Sequence, residues 1–175
     1  MDDKPLPFSL RAAVERDVDA LVGLIGELAE FERLTHLMEV TPQALRTHVF
    51  GPEPVAWAIV AEADGSSDGL IGFALYFRNF STFLGRPGLY LEDLYVQPRW
   101  RGRGVGTALL RHLGALAVAS GCGRFEWSVL DWNANAIAFY EKMGAQVLPE
   151  WRICRVTGAA LDAFGPDDPH WSITP

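Results

Sequence analysis

Three short stretches carry side chains whose types and spacing could do chemistry. The first is Arg99-Trp100-Arg101-Gly102-Arg103-Gly104-Val105-Gly106. Glycines this close together let the backbone turn sharply and bring N–H groups up to a ligand with no Cβ in the way. At a helix start, free N–H groups and the helix dipole favour a phosphate, and flanking arginines add charge-assisted hydrogen bonds. Two familiar nucleotide patterns fail: there is no GxxxxGK[ST], and Thr107 stands where GxGxxG needs its third glycine. A tight turn with solvated arginines is the competing reading. Three arginines between a strand and a helix weigh against it.

The second stretch is Leu89-Tyr90-Leu91-Glu92-Asp93-Leu94-Tyr95-Val96. It is apolar at both alternations, the mark of a strand covered on both faces. Strict alternation sends Glu92 to one face and Asp93 to the other. Burying a carboxylate is costly unless it is paired or put to use, so a mid-strand acid here is either an ion-pair partner of an arginine or a general base of raised pKa. The third stretch runs from Leu130-Asp131-Trp132-Asn133 to Gly144-Ala145. Asn133 can cap a helix whose last turns hold Phe139 and Tyr140. Alone, Tyr140 reads as a core tyrosine with one hydrogen bond.

Around these stretches, the periodicity predicts a strand at 10–14 and a helix capped by Asp17, with Val18, Leu21, Val22, Ile25, Leu28 and Ala29 on its apolar face. Thr41-Pro42 opens a short second helix, stopped by Gly51-Pro52. Strands are expected at 56–61 and 70–77 around a turn at 64–69, then a long loop at 78–88 and a strand at 89–96. A helix over 105–120 ends at Gly121. A strand at 125–130 and a helix at 134–143 follow, with short strands around 146–148 and 151–156. The fold class is α/β or α+β with a mixed sheet. One domain is expected, with its core at about 10–161 and a flexible tail from 165 to 175.

The chain has 175 residues, 49% of them apolar and 21% charged, which excludes disorder. Cys122 and Cys154 lack CxxC spacing, so no disulfide framework forms, and a cytoplasmic location is expected. The N-terminus resembles no signal peptide, and no apolar run approaches the ~20 residues that span a bilayer. Four scattered histidines offer no metal-ligand spacing, so no metal is expected. The net charge of −7 argues against wrapping nucleic acid. The charge is uneven: residues 94–124 hold Arg99, Arg101, Arg103, Arg111 and Arg124 and no Asp or Glu, a +5 window in a chain that is −12 elsewhere. An anion site in the middle of the chain fits that asymmetry, as does chance with solvated helix faces.

Arg101-x-x-Gly104-x-Gly106, after a strand and before a helix, resembles the pyrophosphate-binding motif of the GNAT superfamily of N-acetyltransferases. Asn133…Ala136-x-x-Phe139-Tyr140-x-x-x-Gly144-Ala145 resembles that superfamily's downstream motif. Within it, the chain is most similar to the spermidine/spermine and thialysine acetyltransferase group. That likeness is carried by Leu24-Ile25-x-Glu27-Leu28-Ala29-x-Phe31-Glu32, by the strand around Glu92 and Asp93, and by Glu126-Trp127-x-Val129-Leu130-Asp131-Trp132-Asn133.

The resemblance implies a mixed, mostly antiparallel twisted sheet, splayed in the middle and flanked by helices, with acetyl-CoA in the split. It implies that backbone N–H groups of Arg101, Gly102, Arg103, Gly104, Val105 and Gly106 hold the pyrophosphate. Backbone at Leu94, Tyr95 and Val96 would pair with the pantetheine and stabilise the oxyanion, and Asn133 would bond the pantetheine or the adjacent chain. Tyr140 would protonate the leaving thiolate. Glu92, through water, would take a proton from the amine, with Asp93, Glu32 and Trp151 at the substrate and Glu27 a further charge at the rim. An alkylamine of pKa ~10.4 is mostly protonated at neutral pH, and only its neutral form attacks a thioester. The expected partner is a small cationic amine, either a polyamine or diamine or a diamino acid such as thialysine. The latter also needs an arginine for its carboxylate, with Arg78, Arg86 and Arg152 available. A coenzyme-A-binding module without turnover is the reading from another class. A covalent role for Cys122 has no neighbouring histidine to support it. A homodimer is implied by the family likeness.

Overall fold

A single five-stranded sheet in the order β1-β2-β3-β4-β5 underlies the arrangement. The computed structural model describes residues 7–65 and 69–165. The strands are β1 (Phe8–Ala12), β2 (Trp57–Ala63), β3 (Leu70–Ser81), β4 (Arg86–Val96) and β5 (Arg124–Trp127). The first four are antiparallel in sequence, and β5 joins parallel to β4. A parallel pair needs a long crossover, here α3 (Val105–Ala119). Helices α1 (Val18–Glu32) and α2 (Pro42–His48) connect β1 to β2, while α4 (Ala134–Lys142) and α5 (Ala159–Asp162) follow β5. The chain divides into two compact units, Met1–Leu130 and Asp131–Pro175.

Register explains the core of the first unit. Val60, Phe73 and Tyr95 stand opposite one another on β2, β3 and β4 and form one cluster with Val18, Leu21 and Leu24 of α1 and with Leu45 of α2. The intervening residues Ile59, Ala61, Ala74, Leu89 and Leu91 are buried as well, and α3, which lies against β2, β3 and β4, buries Val105, Leu109 and Leu113. Each large apolar side chain so buried contributes roughly 1.5–3 kcal/mol. This two-sided burial is what the apolar run in β4 implies.

The structure revises several boundaries. The first strand begins at Phe8 rather than residue 10, and β2 and β3 are longer than expected. Residues 66–68 of the turn between them lie outside the described residues. The predicted loop at 78–88 is mostly strand: β3 runs to Ser81 and pairs with β4 from Arg86 onward, leaving a short turn with Gly85 at φ +60°. Strand β5 stops at Trp127 instead of 130. No strand forms at 146–148 or 151–156, where Pro149 interrupts the chain and no described strand supplies a ladder. Of the predicted tail, only Gly165 lies within the described residues.

Thr41 caps α2 as expected, its hydroxyl accepting from Ala44 N–H at 3.1 Å. Asp17 does not cap α1. Its carboxylate accepts from Val14 N–H at 2.9 Å and receives both ends of the Arg11 guanidinium, at 2.6 and 2.9 Å. Arg11, followed by these bonds and by one to Glu62 at 2.8 Å, ties β1, β2 and the start of α1 together. The Arg11 hydrogen bonds hold the Asp17 carboxyl below its usual range against the opposing effect of burial. Because its folded pKa is depressed, Asp17 stabilises the fold above the unfolded value of ~3.9, and that contribution is lost as pH falls through the folded pKa. Asp17→Ala, which leaves Arg11 half-buried without its main partner, is expected to cost about 2–4 kcal/mol at pH 7. Urea unfolding should show the deficit shrinking toward pH 2.

Candidate functional site

The site of the first unit is built on a break in β4. Asp93 pairs with Leu75, but the next rung joins Leu91 to Tyr76, so Glu92 is an extra residue, a β-bulge. Strict alternation therefore does not carry across it. Leu91 and Leu94, three positions apart, share a face with Tyr76 and Ala74, while Asp93 and Tyr95 share the opposite face with Leu75 and Phe73. The bulge removes strict alternation as a ground for placing Glu92 and Asp93 on opposite faces, since Glu92 has no partner on β3.

Beyond the bulge β4 loses its second neighbour. The ladder to β5 covers only Gly88 to Leu91. Gln97 N–H donates to Ile71 C=O at 3.0 Å, in register with the Phe73–Tyr95 rung. Bonding rungs alternate in an antiparallel ladder, so the N–H and C=O groups of Leu94 and Val96 point away from β3. Among the described residues they have no strand partner on that side. Gly72, opposite Val96, lets the strands approach closely there, because a Cβ would lie 2.7 Å from Tyr95 C=O.

The glycine turn follows directly. Gly102 and Gly104 hold φ of +71° and +88°, a conformation other residues rarely adopt, and Gly104 caps α3. The first bond at the helix start is Ala108 N–H to Gly104 C=O at 2.9 Å, so the amides of Val105, Gly106 and Thr107 are left free of intrahelical acceptors. Arg101 N–H is already committed to Pro98 C=O at 3.2 Å, which removes it from the amides free to hold an anion. The arginine side chains are also engaged. Arg101 donates from Nε to Val96 C=O at 2.9 Å and lies over Phe31 and Tyr95, 4.8 and 5.6 Å from the ring centroids. Arg103 lies 5.0 Å over Trp100. Free amides, a helix N-terminus and an unpaired strand edge together fit a ligand carrying a pyrophosphate and an amide-containing arm.

Acidic groups gather beside this edge. Asp93 is half-buried, and its carboxyl is pushed up to about 7, first by burial and then by the charges of Glu92 and Glu32. Burial also raises the Glu32 carboxyl at the end of α1. Glu92 itself is exposed. The arrangement attracts a cation and offers a proton acceptor that titrates near neutrality.

Sequence reasoning missed the bond pattern of Glu27, which accepts from Tyr95 Oη at 3.0 Å and from Gln97 Nε2 at 2.9 Å. Its only local signal is a glutamate next to the apolar face of α1.

In the second unit, Asn133 Oδ1 accepts from Ala136 N–H at 3.2 Å and so caps α4, leaving its NH2 group to bond elsewhere. Tyr140 is half-buried on α4, its ring 5.3 Å from that of Phe139. Trp151 is exposed in irregular chain, after a turn closed by its N–H on Leu148 C=O at 3.2 Å. Among the described residues no cluster of His, Cys, Asp and Glu could hold a metal ion, and no helix is long and apolar enough to cross a membrane.

A mixed sheet with β4 parted from β5, a glycine turn opening a long helix and an acidic group beside the parting define an acyltransferase of the acetyltransferase (GNAT) family. The chain belongs to that family, whose sequence profile matches residues 19–145. It is 41% identical to thialysine N-epsilon-acetyltransferase of Mus musculus over 87% of this chain and 94% of that protein. L-ornithine N5-acetyltransferase NATA1 of Arabidopsis thaliana is 36% identical, over 89% and 86% of the two chains. A human spermidine/spermine N(1)-acetyltransferase-like protein is 32% identical over 79% of this chain and 20% of its own length. Among solved structures, an integron cassette protein from V. cholerae superposes with a TM-score of 0.75 at 26% identity, covering 91% of this chain and 98% of the other.

Proposed function

We propose that this N-acetyltransferase transfers the acetyl group of acetyl-CoA to a primary amine of a small cationic substrate, by direct attack in a ternary complex. The observation that carries the reading is the half-buried Asp93, with a carboxyl near pH 7 beside Glu92 and Glu32, one residue from the unpaired backbone of Leu94. Bound acetyl-CoA supplies the activated thioester. The Leu94 and Val96 backbone aligns its arm, and the amides of residues 102–106 with the start of α3 neutralise its pyrophosphate. The acidic group draws in an alkylammonium. Glu92, exposed at the bulge, takes the proton of the amine through water, beside Asp93, whose carboxyl is pushed up to about 7. Tyr140 gives a proton to the departing thiolate. Glu32 and Trp151 complete the amine site, and Asn133 bonds the pantetheine.

Of the two substrate types, the side-chain amine of a diamino acid draws support from the relatives named for thialysine and ornithine, at 41% and 36% identity. Such a substrate wants an arginine for its carboxylate. Arg78 pairs with Leu89, on the face opposite Asp93, and Arg86 lies at the far end of β4, so neither lies beside Asp93. The reading includes a homodimer, on the family resemblance alone, and a cytoplasmic location, on the lack of a disulfide framework between Cys122 and Cys154.

Thiol release from acetyl-CoA, measured against spermidine, spermine, putrescine, thialysine, ornithine and lysine, tests the proposal. Release with at least one amine is expected, the diamino acids giving the highest kcat/KM. Coenzyme A binding with no release for any amine would establish a binding module instead, and an isolable acetyl-enzyme would replace direct attack.

A further inference from the structure

The end of β4 is gripped from α1. Glu27 accepts from the Tyr95 hydroxyl through Oε2 and from Gln97 through Oε1, at 3.0 and 2.9 Å. One helical turn on, the Phe31 ring lies 4.8 Å beneath the Arg101 guanidinium, which also covers Tyr95 and bonds Val96 C=O. Residues 95 and 97 are the two neighbours of Val96, and their bonding side faces β3. Fixing them fixes the direction in which Leu94 and Val96 present their backbone groups. Burial and the Glu27 carboxylate push the Tyr95 phenol up to about 12, so its hydroxyl remains a donor throughout the working range of pH.

We propose that Glu27 is a positioning residue for acetyl-CoA: bonded to Tyr95 and Gln97, it sets the register of the Leu94–Val96 edge on which the pantetheine arm pairs, without touching the ligand. This role rests on the acetyl-CoA reading above and differs from a rim charge that meets the amine. A carboxylate suits both donors at once. Glutamine can accept from one but turns an N–H2 donor toward the other, and alanine accepts from neither.

The test compares Glu27→Ala, Glu27→Gln and Tyr95→Phe by calorimetric Kd for coenzyme A and by steady-state constants for each substrate. Glu27→Ala is expected to raise the coenzyme A Kd and the KM for acetyl-CoA about tenfold, by loosening an edge that must hold its geometry. KM for the amine and kcat at saturating acetyl-CoA should stay within about twofold, since no reacting group is removed. Glu27→Gln and Tyr95→Phe should show smaller increases. Tyr95→Phe should add little in the Glu27→Ala background, because the two share one hydrogen bond. Should Glu27→Ala fail to fold, the other two variants carry the test. Unchanged coenzyme A affinity in all three would overturn the proposal. A rise confined to the amine KM would overturn it too, returning Glu27 to the substrate rim. A wild-type chain that binds no coenzyme A would instead remove the acetyl-CoA reading, and this role with it.

Discussion

With Tyr140 replaced by phenylalanine, kcat is expected to fall by roughly 10²–10⁴-fold, the span a positioned proton donor contributes. The departing group is a thiolate, and a thiol of pKa ~8.5 is a moderate leaving group at neutral pH. Proton delivery as the C–S bond breaks removes the charge that would otherwise favour return. The substitution deletes one oxygen and keeps the ring that lies 5.3 Å from Phe139. The Asn133 cap that starts α4 is untouched. Coenzyme A affinity and the thermal midpoint should therefore hold while thiol release collapses. Unchanged turnover would take the general acid away from Tyr140.

Asp93→Asn should make the protein both less active and more stable. The folded carboxyl lies at about 7, chiefly through burial, whereas an unfolded aspartate titrates near ~3.9. Below that lower value both states hold the proton and burial costs nothing. As pH rises the unfolded chain ionises first, so stability is lost progressively up to pH 7, and the penalty is constant above it. Asparagine never ionises and should add about 2–4 kcal/mol to the unfolding free energy at pH 8, falling to nothing near pH 3. In kcat/KM for the amine, the wild-type rise through pH 7 should disappear, with activity down about 10²-fold. Opposite changes in stability and rate mark a group kept for chemistry. A destabilised variant with an unaltered pH profile would remove Asp93 from the proton path.

How much of this the sequence foretold depends on the range of the forces involved. Helices α1 and α3 were legible from the 3.6-residue spacing of Leu21, Leu28, Leu109 and Leu113, and α2 from Thr41-Pro42, because caps and amphipathic faces are local. The glycine turn was legible for the same reason: Gly102 and Gly104 occupy a backbone conformation that few other residues adopt. The outer part of the β3–β4 hairpin was not. Its aromatic and turn-forming residues read as loop, and only cross-strand pairing makes them strand. The C-terminal strands failed in the opposite direction, since strand-like composition at 151–156 finds no described ladder.

The same division runs through the site. The acidic residues were visible by type, but the bulge at Glu92 leaves no mark in composition and takes away the premise of strict alternation. The Glu27 bonds join residues 68 and 70 positions apart, beyond the reach of any local pattern. Arg101 was legible as part of a motif, yet its amide and its guanidinium prove to be spent on Pro98, Val96 and two aromatic rings.

The bulge also sets how this chain can change length. Substitution at Glu92 alters a charge, but deletion there restores strict alternation along β4. Keeping the pairing of Leu91 with Tyr76 would then bring Asp93 straight onto Leu75, its present partner, so that every later residue stays on its present face and only the local bend is lost. What the inserted residue marks is the place where β4 bends away from β5, whose ladder ends at Leu91, one position earlier. Loss of the position would thus spare the core and remove the bend together with the Glu92 carboxylate.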